Sequence, residues 1–174
     1  LTFRNNLDIR YEPKWLKGLQ ISASGAYDFS NYRQEGLDKL LYLYDYQTDQ
    51  QAGANAEANA YSESWSTRQM LYGRVQANFN RRFGDHNVGA TIAGEVTKNL
   101  SNSINGGRKY GDFFTHNILG AGDASTATNG GSRSDNAKAG YVVRASYDYK
   151  GKYLVDFSGR YDGTYVYAPG YRWG

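Results

Sequence analysis

The sequence predicts an all-β protein, an antiparallel transmembrane β-barrel segment of about six strands in three hairpins, and three observations predict it. Apolar residues recur at every second position in six separate runs, the period of a strand with two unlike faces. The 174 residues include 17 Tyr and 21 Gly against 2 Pro and no Cys, a mixture that favours strands over helices. The connections are of two kinds: short ones at 13–18, 83–87 and 150–152, and two polar ones of more than thirty residues each.

In the first run, LTFRNNLDIRYE, Leu1, Phe3, Leu7, Ile9 and Tyr11 oppose Thr2, Arg4, Asn6, Asp8, Arg10 and Glu12. EPKWLKG turns the chain, and LQISASGAYDFS sets Leu19, Ile21, Ala23, Gly25, Tyr27 and Phe29 against a polar series, so the two runs form a hairpin. From Asn31 to about Thr67 the alternation dissolves into an Ala- and Asn-rich stretch that reads as a long loop. It resumes with Leu71, Gly73, Val75, Ala77 and Phe79, turns at GDHN, and returns with Val88, Ala90, Ile92, Gly94 and Val96. A second polar stretch from about Lys98 to Ala137 contains GAGDASTATNGGSRSDN, which reads as mobile at least in part. The last hairpin, within residues 139–163, carries Tyr147, Tyr149, Tyr153, Val155, Phe157 and Tyr161 on one face and Asp148, Asp156, Ser158, Arg160 and Asp162 on the other.

Because direction alternates, all short turns fall at one end of the sheet and both long connections at the other. Soluble sandwiches keep connections short at both ends. Outer-membrane barrels pair short periplasmic turns with long extracellular loops, on strands of roughly 9–11 residues that alternate apolar-out and polar-in. The apolar face mixes Gly, Ala and Val mid-strand with Tyr and Phe near the ends. Such a face suits lipid, which requires no interdigitation, better than a dry core. Tyr147, Tyr149, Tyr153 and Trp15 are expected at the periplasmic interface and Tyr27, Phe29 and Tyr161 at the outer one. The polar series then lines a wet lumen, which reconciles a mean hydropathy of -0.74 with a lipid bilayer as partner.

Net charge is +3, with 20 basic and 17 acidic residues interspersed, so no nucleic-acid stripe is present. The longest apolar run, LLYLY at 40–44, is far short of the roughly 20 residues of a spanning helix. Absence of Cys removes disulfides and thiolate-held metals. No signal-peptide pattern opens the chain.

The stretch 141–174 resembles the barrel of the SusC/RagA family of TonB-linked outer-membrane transporters. The matching motifs are Tyr-Lys-Gly-Lys-Tyr at 149–153, Arg-Tyr-Asp-Gly at 160–163 and Ala-Pro-Gly-Tyr-Arg-Trp-Gly at 168–174, with Tyr171 where Asn is usual. TYVY at 164–167 departs from the family's Ser-Ser-Arg-Phe. These motifs cover about a fifth of the chain; FRNNLDIRYEPKWLKGLQISASGAYDFSN is similar to an earlier barrel region. The resemblance implies a barrel of about 22 strands with an N-terminal plug. Residues 1–174 are then expected to be an internal part of one barrel domain, lacking the plug and the remaining strands.

Candidate chemistry is sparse. His86 and His116 have no second ligand at metal spacing and read as solvated turn residues. Asp123 and Asp135 lack the acidic spacing of a calcium loop, and GRKYGD at 107–112 is not a phosphate loop. No catalytic arrangement of Ser, His or Asp can be built, so neither an enzyme nor a cofactor or metal site is expected. The one functional constellation is aromatic: Tyr42, Tyr44, Tyr46, Tyr61 and Trp65 in the first long connection and Tyr110, Phe113 and Phe114 in the second. They suit stacking on sugars or peptide side chains, or packing of the loops on one another.

By resemblance, the expected function is barrel wall and substrate-facing loops of an energised importer of oligosaccharides or peptides in the bacterial outer membrane. Its partners would be a SusD-like surface lipoprotein and, through the plug, the TonB complex. The alternatives are a passive porin-like barrel and a secreted β-sandwich binding module.

Overall fold

The structure is a computed structural model that describes residues 1–111 and 117–174. Among these residues eight strands follow in chain order: β1 (Thr2–Tyr11), β2 (Leu19–Asp38), β3 (Tyr42–Tyr44), β4 (Gln51–Ala54), β5 (Asn59–Phe83), β6 (His86–Tyr110), β7 (Thr128–Tyr149) and β8 (Tyr153–Thr164). Six form one sheet in the order β1-β2-β5-β6-β7-β8, and β3 and β4 pair separately. This is an all-β, antiparallel architecture in which β1 and β8 stand at the two ends of the order rather than closing on each other. The chain divides into a hairpin unit (Thr2–Ser30, Arg68–Leu100 and Ser134–Gly174) and a loop unit (Leu1, Asn31–Thr67 and Ser101–Arg133).

In the hairpin unit the register places like with like. Phe3 pairs Phe29, Leu7 pairs Gly25, Ile9 pairs Ala23 and Tyr11 pairs Ile21; Tyr141 pairs Tyr161, Val143 pairs Gly159 and Ala145 pairs Phe157. Since directly opposed residues share a face, the apolar series of each strand continues onto its neighbour. The other face carries the charges: Arg4 Nε donates to Asp28 Oδ1 at 3.1 Å, and Arg144 grips Asp156 through two bonds of 3.1 and 2.8 Å. Leu154 and Val142 are the departures, lying on the charged face opposite Asp148 and Arg160.

Apart from Trp173, which stacks on Tyr141 and Tyr161, no described residue covers the apolar face. Leu7 is 63% exposed and Phe157 63%, and the only buried hydrophobic side chains of the described residues are Tyr61, Ala93 and Tyr110. A sandwich packs a second sheet over such a face, and no such layer lies on it among the described residues.

The three short turns are each built by backbone that L side chains avoid. Gly18 has φ +95, and a Cβ there would stand 2.3 Å from the Asn80 carbonyl oxygen; Gly18 in turn accepts from Asn80 N–H at 2.9 Å, so close approach and left-handed φ together demand glycine. Gly84 and Asp85 join β5 to β6. Lys150 (φ 56) and Gly151 (φ 67) are the central residues of a turn closed by Lys152 N–H donating to Tyr149 O at 3.0 Å, within the three-residue loop between β7 and β8; both take the left-handed φ of the primed turns whose twist matches the strands. Lys150 also donates its N–H to Asp85 O at 2.9 Å and its Nζ to Asp85 at 3.2 Å, tying these two turns together.

In the loop unit the strands outrun their sequence signal. The stretch from Asn31 to Thr67, expected as one long loop, contains the end of β2 to Asp38, the β3–β4 hairpin and the start of β5 at Asn59. The second long stretch is likewise strand to Tyr110 and again from Thr128, with two single 3-10 turns, Leu119–Ala121 and Ala124–Thr126, between. GAGDASTATNGGSRSDN, expected to be mobile at least in part, is placed in these turns and in the start of β7. Asp123 caps the second 3-10 turn by accepting from Ser125 N–H at 2.8 Å, and the Asn- and Gly-rich remainder belongs to β7. A strand wet on both faces keeps its backbone ladder but loses its apolar alternation, so its extent is silent in the sequence.

Candidate functional site

The β3–β4 hairpin is tied by side-chain hydrogen bonds at both ends. At its base, Asn55 Oδ1 accepts from Leu41 N–H at 2.6 Å while Asn55 Nδ2 donates to Lys39 O at 2.9 Å, and Asn59 Oδ1 accepts from Leu40 N–H at 2.9 Å. At its tip, Asp45 Oδ1 accepts from the N–H of Gln47, the N–H of Thr48 and the Thr48 hydroxyl, each at 2.9 Å. These donors, those of Thr48 foremost, hold the Asp45 carboxyl below its ordinary range. On this frame Tyr42 is 50% exposed, Tyr44 61% and Tyr46 fully exposed, and Tyr42 and Tyr44 share a face because strand side chains alternate.

The other predicted aromatics divide. Tyr61, on β5, is 1% exposed, and burial, followed by Glu35 and Glu63, pushes its phenol up. Tyr110, at the end of β6, is buried and donates its hydroxyl to Ile118 O at 2.5 Å. Both therefore brace the loop unit from inside rather than face a ligand. Trp65 is partly exposed, with Nε1 donating to Glu63 at 2.7 Å and the Arg33 guanidinium 5.3 Å over its ring. Arg33 is itself shared between Glu63 at 2.6 Å and Glu35 at 2.9 Å, so one face of Trp65 is already occupied. Phe113, Phe114 and His116 lie outside the described residues. The structure thus presents Tyr42, Tyr44 and Tyr46 on one hydrogen-bonded hairpin and Trp65 separately.

Sequence reasoning set His86 aside as a solvated turn residue. It opens β6, with Nδ1 2.7 Å from the Tyr147 hydroxyl and its ring 4.9 Å from that of Tyr149. Asp135 pairs with Lys98 at 3.7 Å, and no group of three His, Asp or Glu able to hold a metal exists among the described residues.

A second place was missed altogether. Residues 165–174 fold back so that Gly174 and Asp162 exchange backbone bonds of 2.9 and 3.1 Å and Thr164 donates to Arg172 O at 2.9 Å. Trp173 then lies parallel to Tyr161 (5.4 Å) and Tyr141 (5.7 Å). Gly163 permits this, since a Cβ there would meet the indole at 2.6 Å. On the charged face beside this stack is a recess of about 560 Å³ whose walls include Glu95, Lys138, Arg160, Asp162, Tyr171 and Arg172. Its floor is Gly140, where a Cβ would stand 2.4 Å from Asp162 Oδ1. The signal was present in RYDG and APGYRWG, but their spacing does not reveal that one motif closes over the other.

No family model matches the chain, and no curated protein matches it. Among solved structures, it is similar to a chain of the RagAB peptide transporter, with TM-score 0.82 and 16% identity over 99% of this chain and 19% of that one. It is similar also to the RagAB peptide importer in its closed-closed state (TM-score 0.79) and open-open state (TM-score 0.81), each at 17% identity over 99% of this chain and 18% of the other. The chain therefore spans about a fifth of the length of the transporter chains it matches, and over nearly all of its own length it shares their fold.

Proposed function

We propose that this chain is barrel wall and loop of an outer-membrane importer of the SusC/RagA kind, part of one barrel domain whose plug and other strands lie elsewhere in the protein. The observation that carries the reading is the unroofed apolar face. Leu7, Val75, Ile92 and Phe157 are 60–63% exposed on four different strands, and a continuous apolar sheet face without a covering layer is stable against lipid and unstable against water. Shared fold with a peptide transporter over 99% of the chain supports the transport role, and the family motifs at 149–153, 160–163 and 168–174 support the family.

In this reading the face carrying Arg4, Asp28, Arg144 and Asp156 lines the lumen. The protein catalyses no bond chemistry; it passes oligosaccharides or peptides inward, with a SusD-like lipoprotein at the extracellular mouth and the TonB complex acting through the plug. Tyr42, Tyr44, Tyr46 and Trp65 offer rings to substrate or lipoprotein at the long-loop end. Cell fractionation with an antibody to the chain tests it. The antigen is expected in the outer membrane, resistant to carbonate extraction, on a polypeptide several times the 19.5 kDa of this chain. A soluble product of about this size would overturn the reading.

A further inference from the structure

From the recess beside Trp173 we infer a subsite for the carboxylate end of a short peptide, with Lys138 and Arg172 as its cationic receptors; the inference rests on the importer reading and deepens it. The recess contains three cations and two carboxylates, and the two carboxylates are already committed. Arg160 bonds Glu95 at 2.6 Å and Asp162 at 2.7 Å, a closed triad laid over the bare backbone of buried Gly140. Arg160 is therefore wall, not receptor.

Lys138 and Arg172 differ from it. Among the described residues Lys138 has no ion-pair partner, and Arg172 uses only Nε, donated to Tyr167 O at 3.0 Å. That bond orients the guanidinium and leaves its terminal nitrogens available for a planar, two-oxygen acceptor. Tyr171 and Tyr167, 80% and 61% exposed, border the same recess and supply ring faces for an apolar side chain next to the carboxylate. Two unsatisfied cations beside two open phenol rings fit a peptide terminus. A neutral sugar offers the two exposed cations no charge to pair with.

The test uses the full-length protein in detergent and three probes: an acetylated pentapeptide of Ala and Phe with a free carboxylate, the same peptide as its C-terminal amide, and trigalacturonate. The acid is expected to bind about tenfold or more tightly than the amide. The double variant Lys138→Gln/Arg172→Gln should abolish that difference, and Arg172→Lys, which keeps the charge, should preserve part of it and control for folding. Equal affinities for acid and amide, or a preference that survives the double variant, would overturn the subsite. Binding of trigalacturonate but not the peptide acid, with the same dependence on Lys138 and Arg172, would overturn the peptide assignment. Any of these failures in a protein still found in the outer membrane leaves the importer reading intact.

Discussion

Ile92 and Ile104 stand on the same strand, at 62% and 60% exposure, yet they belong to different units and to different surroundings. Next to Ile92 in the hairpin unit, on the same face of β6, Gly94 lies against the Tyr141 ring and Val96 against Gly73, a patch of apolar and small residues. Ile104 in the loop unit neighbours Gly131, and the residues flanking it on the same face of β6 are Asn102 and Gly106. Exposure counts only the missing protein neighbours. What the missing neighbour is, lipid or water, is told by the chemistry of the surrounding patch.

The same replacement at both positions breaks or confirms that contrast, and it carries the largest expected effect. Ile92→Arg should destabilise the protein folded in lipid vesicles by about 2–4 kcal/mol, as for a charge on the lipid face of a barrel. Ile104→Arg should stay within about 0.5 kcal/mol, as at an ordinary wet surface. Urea midpoints measure both, and two small values would remove the lipid from the account.

A second pair sharpens it with glycines. Gly163→Ala drives a methyl into the Trp173 indole and is expected to cost about 1–3 kcal/mol, with a shift in tryptophan emission as the stack on Tyr141 and Tyr161 opens. Gly53→Ala, in β4 of the loop unit, meets open space and should be neutral to about 0.5 kcal/mol. An unchanged spectrum for Gly163→Ala would show that the indole does not lie where described.

The smallest effect is confined to the loop unit and depends on pH. Asp45 titrates lower folded than unfolded, so its capping bonds contribute fully above the unfolded value of about 3.9 and are lost as pH falls through the lower folded value. Exchange at Gln47 and Thr48, corrected for its intrinsic pH dependence, should show protection at neutral pH that persists through the ordinary carboxylate range and is lost only as pH falls through the lowered Asp45 titration. In Asp45→Ala it should be absent at every pH. Protection that survives acid would assign the turn's order to its backbone bonds alone.

How much was legible follows from the same contrast. Where one face is apolar, as from Leu19 to Phe29 or Tyr141 to Phe157, alternation marked each strand, and the turns at Gly18, Gly84 and Lys150–Gly151 announced themselves by residue type. Where the sequence is polar on both faces, as from Asn59 to Thr67 or Thr128 to Ala137, the strands carried no mark. Of the aromatic set, Tyr42, Tyr44 and Tyr46 emerged as exposed, whereas Tyr61 and Tyr110 proved buried, because a tyrosine in a polar stretch reads alike whichever way it faces. The charged recess escaped entirely.

The sequence by itself determined the all-β class, the hairpin pairing and the sidedness of the sheet, since each depends on local periodicity and on turn residues with restricted φ. Only the tertiary structure decided that the strands extend to Asp38, Tyr110 and back to Thr128, that Tyr61 and Tyr110 face inward, and that Trp173 closes over Gly163 to leave Lys138 and Arg172 around one recess. Those features depend on contacts between residues far apart in the chain, and a one-dimensional pattern carries no record of such distances.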